Sequence, residues 1–183
     1  MACTENMPGG NAQRPGDIVK AASGKTIEVI TTDAEGRMVL ADAVWYACQL
    51  GAKKVVDIAT LTGACAVALG TGLAGVFGDD AALVERIKAS GHVGGEEYWQ
   101  LPLWRPYADK LKSEVADICH TGPREGGAIN AALFLQHFVS KDVRWAHLDI
   151  AGVDWQDAGN ALCPAGPTGF GTRTLLELVR GGV

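Results

Sequence analysis

Apolar positions along the chain recur with two periods, and they alternate in order. Residues 26–30 (TIEVI) alternate and are rich in β-formers, which predicts a strand. Residues 37–50 (RMVLADAVWYACQL) place Leu40, Val44, Ala47 and Cys48 at helical spacing, and Gly51 stands where a helix ends. Residues 53–59 (KKVVDIA) are an apolar run of the length of a strand buried on both faces. Thr60 or Thr62 is placed to cap a short helix reaching 67–69, and a further strand is predicted at 73–77. Helices are predicted at 80–90, within 99–112 after Pro102 and Pro106, and at 128–139; a strand at 143–150; and a last helix from about Thr172. The first 25 residues are broken by Pro and Gly and carry little periodic signal. This order implies an α/β class, three layers (αβα) on a mainly parallel sheet that is incomplete at its N-terminal side. Ligands of such sheets bind at the carboxyl ends of strands, so polar residues there come first.

Composition narrows the chemistry. The 183 residues carry 16 Lys+Arg against 21 Asp+Glu, a net charge of -5, so there is no basic footprint for nucleic acid or an anionic membrane. No run of about 18 apolar residues predicts a membrane span, and the opening lacks a signal-peptide layout, which predicts a cytoplasmic protein. Cys3, Cys48, Cys65, Cys119 and Cys163 are odd in number, widely spaced and without CxxC; they read as buried thiols. The 24 glycines, about twice the usual share of roughly 7%, point to tight loops between elements.

Three strand ends carry polar residues: 32–37, 57–63 and 149–154. In the first, Asp33 and Glu35 stand two apart, and in an extended segment both carboxylates would aim at one point. Like charges that close need a cation, a proton or an arginine, and a hard divalent ion or a pair of ions serves. Gly36 admits close backbone approach, and Arg37 at a helix start suits an anion. The other reading of the same residues is that the two acids cap the following helix.

The stretch TTDAEGRMVLADA resembles the N-T-D-A-E-G-R-L signature of the leucine aminopeptidase (cytosol aminopeptidase) family, with Thr31 for Asn and Met38 for Leu. ENMPGGNAQRPGDIV, SGKTIEV, DIATLTGACAVALG, REGGAINAALFL, HLDIAG and PTGFGTRTL are similar to blocks of that family in the same order, so the resemblance covers nearly the whole chain. It implies a metal-dependent exopeptidase that removes N-terminal, leucine-like residues from peptides with two divalent ions (manganese or zinc, or magnesium). Asp33 and Glu35 match metal ligands, Arg37 matches the arginine that holds a bicarbonate ion, and Thr60, Leu61 and Gly63 match the loop lining the substrate site. It also implies a homohexamer. The chain matches only the C-terminal portion of the catalytic domain. The N-terminal domain, the catalytic lysine, two aspartate ligands and the first strands of the sheet have no counterpart in it. The expectation is therefore a fragment that is inactive alone and that pairs with a missing upstream half. A non-catalytic assembly or binding protein on the same scaffold is the alternative, and the intact DAEGR argues against it.

Other residues are read as structural. Asp57 and Asp149 are strand-end acceptors, His92, His120, His137 and His147 lack ligand spacing, and Cys65 is a packed thiol. Lys25 precedes a strand and takes no catalytic role, and some of the five tryptophans suit subunit contacts.

Overall fold

Asp80 shows how faithfully local chemistry is obeyed: its carboxylate accepts from the Leu83 N–H at 2.8 Å and starts a helix where the sequence predicts one. The computed structural model describes Ala2, Thr4 and residues 7–182; Cys3 lies outside the described residues. In chain order the elements are β1 (Ile18–Lys20), β2 (Thr26–Glu28), α1 (Glu35–Gln49), β3 (Lys54–Ala59), α2 (Gly63–Leu69), β4 (Ala74–Gly78), α3 (Ala81–Gly94), β5 (Tyr98–Gln100), β6 (Ile118–Cys119), α4 (Gly127–Gln136), β7 (Arg144–Asp149), β8 (Trp155–Gln156), β9 (Gly166–Pro167) and α5 (Thr172–Arg180). Short 3-10 turns occupy Thr32–Ala34 and Arg105–Leu111. The chain divides into two compact units, Met1–Val55 with Trp104–Val143, and Val56–Leu103 with Arg144–Val183.

In the first unit β1 and β2 form an antiparallel hairpin with Val19 opposite Ile27, and β2 pairs in parallel with β6. The hairpin turn needs Gly24 at φ 86°, with its N–H donating to Ala21 O at 2.9 Å. Asp117 fastens the start of β2, taking the Thr26 N–H at 2.7 Å and its hydroxyl at 2.9 Å. Helices α1 and α4 pack together, burying Ala41 and Val44 of one and Ala131, Phe134 and Leu135 of the other.

In the second unit the sheet order is β3-β7-β4-β5. Alternation divides it into two faces. Ala74, Val76, Ala146 and Leu148 share a core with Leu83, Val84 and Ile87 of α3 and Leu178 of α5. The other face carries Phe77 and Trp145, each stacked on His147, and Gly75, where a Cβ would stand 2.7 Å from the Cys65 sulfur. On that face Asp57 accepts from Trp145 Nε1 and from His147 Nδ1, both at 2.6 Å, and all three side chains are buried.

The α/β class holds, but the sheets are mixed rather than mainly parallel. β4 runs parallel to β5 and antiparallel to β7, with Val76 opposite Leu148. Helical spacing shows that strands alternate with helices but not which way each strand runs. The helix predicted after Pro102 and Pro106 is present as a short 3-10 helix, Arg105–Leu111, with Pro106 in its first turn, whereas Trp99 lies in β5. Strands β1, β5, β6, β8 and β9 have two or three residues each, too short to show a period. Of the cysteines, Cys65 and Cys119 are buried, whereas Cys48 and Cys163 are half-buried; these four are free thiols. Among the described residues no helix is long and apolar enough to cross a membrane.

Candidate functional site

The segment bearing Asp33 and Glu35 is not extended. Residues Thr32–Ala34 form a 3-10 turn, started by the Thr31 hydroxyl accepting from Asp33 N at 3.4 Å, and Glu35 opens α1. Extended spacing, expected from the sequence, therefore does not set the direction of these two side chains. A short turn followed at once by a helix puts residues 33 and 35 around one bend, where period-two alternation does not apply. The N-cap of α1 is Ala34, so neither acid is its N-cap, but Glu35 lies in the first turn, where the helix dipole favours an acid as the capping alternative expects. Asp33 is exposed and Glu35 half-buried. Glu35 lines a pocket of about 330 Å³ together with Thr4, Met7, Ala12, Gln13, Met38 and Val39. The early Pro/Gly-rich stretch is thus tied to the start of α1.

Arg37 sits in the first turn of α1 as predicted, with its side chain buried and its Nη1 donating to the His120 carbonyl at 3.0 Å. His120 is itself fully buried and holds the strand leading into the turn. Its Nε2 lies 2.7 Å from the Thr31 carbonyl and its Nδ1 accepts from the Ile30 N–H at 3.1 Å. The neutral ring with its proton on Nε2 satisfies both. Burial above all, with the Arg37 charge nearby, holds the His120 pKa below its ordinary 6.5, while the bond to Thr31 opposes that. The same residue thus clamps Ile30–Thr31 through its ring and Arg37 through its backbone. The sequence offered only a histidine without ligand spacing; its partners lie about 90 residues away, beyond any local signal.

This clamp has a pH consequence. A histidine whose folded pKa is lowered takes up a proton more readily when unfolded, so its contribution is complete above 6.5 and is lost as pH falls through the lower folded value. His137, also lowered chiefly by burial, adds to the same limb. Asp117, held low by the Thr26 backbone bond, and Glu28, held low by Ser113, add a further loss only below the ordinary carboxylate values of 3.8 and 4.5. The thermal midpoint should therefore fall as pH drops from about 6.5 toward 5. In His120→Asn that limb should be shallower, and the midpoint at pH 7.5 lower. Calorimetry across this range checks it, and parallel curves for the two proteins would contradict it.

The second group of predicted residues follows β3. Thr60 and Gly63 are exposed and Leu61 is half-buried. Thr62, not Thr60, caps α2, accepting from Cys65 N at 3.0 Å. Asp149, at the end of β7, accepts from the N–H groups of Leu61 (3.2 Å), Thr62 (3.3 Å) and Ala151 (3.3 Å) and from the Thr62 hydroxyl (2.6 Å). Cys65 is a packed thiol: burial, with the Asp149 carboxylate adding to it, pushes its pKa up to about 12. In the first unit Asp33 thus lies in the 3-10 turn that leads into Glu35 and Arg37 at the start of α1, and in the second Thr60 and Leu61 lie in the loop that leads into Gly63 at the start of α2.

The donor set at residues 33–35 suits a divalent ion in kind: two carboxylates, one exposed and one at a pocket wall, are oxygen donors of the sort hard ions take. It is short in number, since among the described residues no group of three His, Cys, Asp or Glu side chains converges.

Comparison with known proteins extends these observations. Residues 1–176 match the model described as "Cytosol aminopeptidase family, catalytic domain". A "Probable cytosol aminopeptidase" of Desulfovibrio desulfuricans is 68% identical over all of this chain, which covers 37% of that protein. One of Geobacter sulfurreducens with the same printed name is 52% identical over 96% of the chain and 35% of that protein. Among solved structures, "Tomato leucine aminopeptidase mutant - K354E" superposes with a TM-score of 0.90 at 48% identity, over 96% of this chain and 34% of that one. The chain therefore spans a little over a third of the length of the relatives it matches.

Proposed function

The chain belongs to the cytosol aminopeptidase family, and on that premise we propose that it supplies the C-terminal portion of the catalytic domain of a two-metal aminopeptidase acting on peptides with leucine-like N-terminal residues. The observation that carries this reading is the turn holding Asp33, Glu35 and Arg37 together, with Arg37 buried and pinned to His120.

Asp33 and Glu35 would hold the divalent ions, manganese or zinc, or magnesium. A bound pair of such ions polarises a scissile carbonyl and lowers the pKa of water. Arg37 presents a permanent charge at the first turn of a helix, where an anion such as bicarbonate is favoured both by that charge and by the helix dipole. Glu35 contributes a carboxylate on the pocket wall, whose oxygens are donors of the kind a hard divalent ion takes. Thr60, Leu61 and Gly63 form the wall against which the peptide lies. Leu61 offers apolar surface for a leucine-like side chain, and Gly63 has nothing within 4 Å of its missing Cβ, which leaves room for substrate.

With two carboxylates the site lacks charge compensation and donors for two ions, so the chain alone is inactive and works with the part of the domain that it does not contain. The exposed Trp99, Trp104 and Trp155 suit subunit contacts of a homohexamer, and the composition suits a cytoplasmic protein. The test is hydrolysis of leucine p-nitroanilide with manganese or zinc, by the chain alone and by the chain combined with the remainder of the Desulfovibrio desulfuricans relative. Activity only in the combination, removed by a chelator, is the expected result. A chain that never contributes activity but assembles with that partner would favour the scaffold reading.

A further inference from the structure

We infer that Asp149 is the positioning residue of the substrate wall, a role resting on the reading of Thr60, Leu61 and Gly63 as that wall. A strand-end aspartate that merely finished β7 would need only the amide two residues on, Ala151, which it does bond at 3.3 Å. Its remaining bonds go to Leu61 N, Thr62 N and the Thr62 hydroxyl, 87 and 88 residues away in sequence. With 1% of its surface exposed, the carboxylate spends its acceptor capacity on two chain segments at once.

The consequences run along α2. The Thr62 hydroxyl donates to Asp149 at 2.6 Å and accepts from Cys65 N at 3.0 Å, so the orientation of the α2 amino end is set through that hydroxyl. At the other end, Gly152 passes so close that a Cβ there would stand 2.3 Å from the Gly70 carbonyl and 3.1 Å from Ala66 Cα. Helix α2 is therefore gripped at both ends by the chain that leaves β7: at its start by Asp149, at its finish by Gly152. The loop between β3 and α2 has no such freedom as surface loops usually keep, and its exposed Thr60, with the exposed Gly63 that opens α2, is presented from a fixed base. Loss of the carboxylate frees four buried or half-buried donors, three of them on Leu61 and Thr62, and the wall shifts while the strands behind it stay paired.

The experiment compares wild type, Asp149→Asn and Asp149→Ala. Amide hydrogen exchange in the chain should accelerate by at least about tenfold at Leu61 and Thr62 in Asp149→Ala, and less in Asp149→Asn, with Val76 and Phe77 of β4 unchanged. In the preparation combined with the remainder of the relative, Asp149→Asn should raise the KM for leucine p-nitroanilide about tenfold and change kcat less than about threefold, the pattern of lost ground-state positioning. Unchanged exchange at Leu61 and Thr62 overturns the proposal, and so does accelerated exchange with an unaltered KM. If wild type shows no hydrolysis in any preparation, the aminopeptidase reading fails instead, and the exchange rates alone decide whether Asp149 anchors the loop.

Discussion

Glu35→Gln, introduced into the preparation that combines this chain with the remainder of its relative, should lower kcat/KM for leucine p-nitroanilide by about three orders of magnitude, about 4 kcal/mol of transition-state stabilisation. The substitution keeps shape and hydrogen-bonding reach but removes the negative charge that a divalent ion needs. Glu35 opens α1 at a pocket wall and is not its N-cap, so the helix should survive the change; far-ultraviolet circular dichroism and the thermal midpoint verify that. Glu85→Gln, in an exposed pair with Lys88 at 2.7 Å, is the control and should leave kcat/KM within a factor of two or so. Wild-type kcat/KM in Glu35→Gln, or activity indifferent to a chelator, would remove Glu35 from the metal site.

The largest stability effect is expected at Asp57. Its carboxylate takes the Trp145 indole N–H and the His147 Nδ1–H, each at 2.6 Å, within a layer where His147 is 0% and Trp145 1% exposed. Asp57→Ala leaves two buried donors without an acceptor, and each orphaned donor costs about 1–3 kcal/mol. A loss of about 3 kcal/mol or more follows, which in a chain of this size lowers the thermal midpoint by about 6–12 °C. Asp57→Asn keeps one acceptor oxygen and should lose less. Equal midpoints for wild type and Asp57→Ala would mean that solvent or a neighbouring group satisfies both donors.

How much of this was legible depended on where the signal lay. The helices at 37–50, 80–90, 128–139 and from Thr172, and the strands at 53–59, 73–77 and 143–150, appear within a few residues of their predicted limits, because each buries a stripe or a face long enough to repeat its period. The strand predicted at 26–30 is also present, shortened to β2. Its partners β1 and β6 have three and two residues and no period; pairing with β2 makes them strands. In the stretch 99–112, Trp99 belongs to the edge strand β5 paired with β4, and the helix expected after the two prolines is a 3-10 helix, Arg105–Leu111, too short to show an α period. The candidate site divides in the same way. Which acids and which arginine stand together was readable from eight consecutive letters; that they stand on a turn and not on an extended arm was not.

Sequence by itself determined the class, the family, the acidic balance and the identity of Asp33, Glu35, Arg37, Thr60, Leu61 and Gly63 as the residues worth testing. These are properties of short, contiguous stretches, where neighbouring side chains share one local geometry. Only the tertiary structure decided that β4 runs against β7, that His120 holds the strand before the acidic turn, that Asp57 joins Trp145 to His147, and that Asp149 ties Leu61 and Thr62 to Ala151. Each of those contacts closes a loop of dozens of residues. Nothing in the intervening sequence marks such a contact, because its free energy is realised only once the separate elements pack and exclude water from the groups they join.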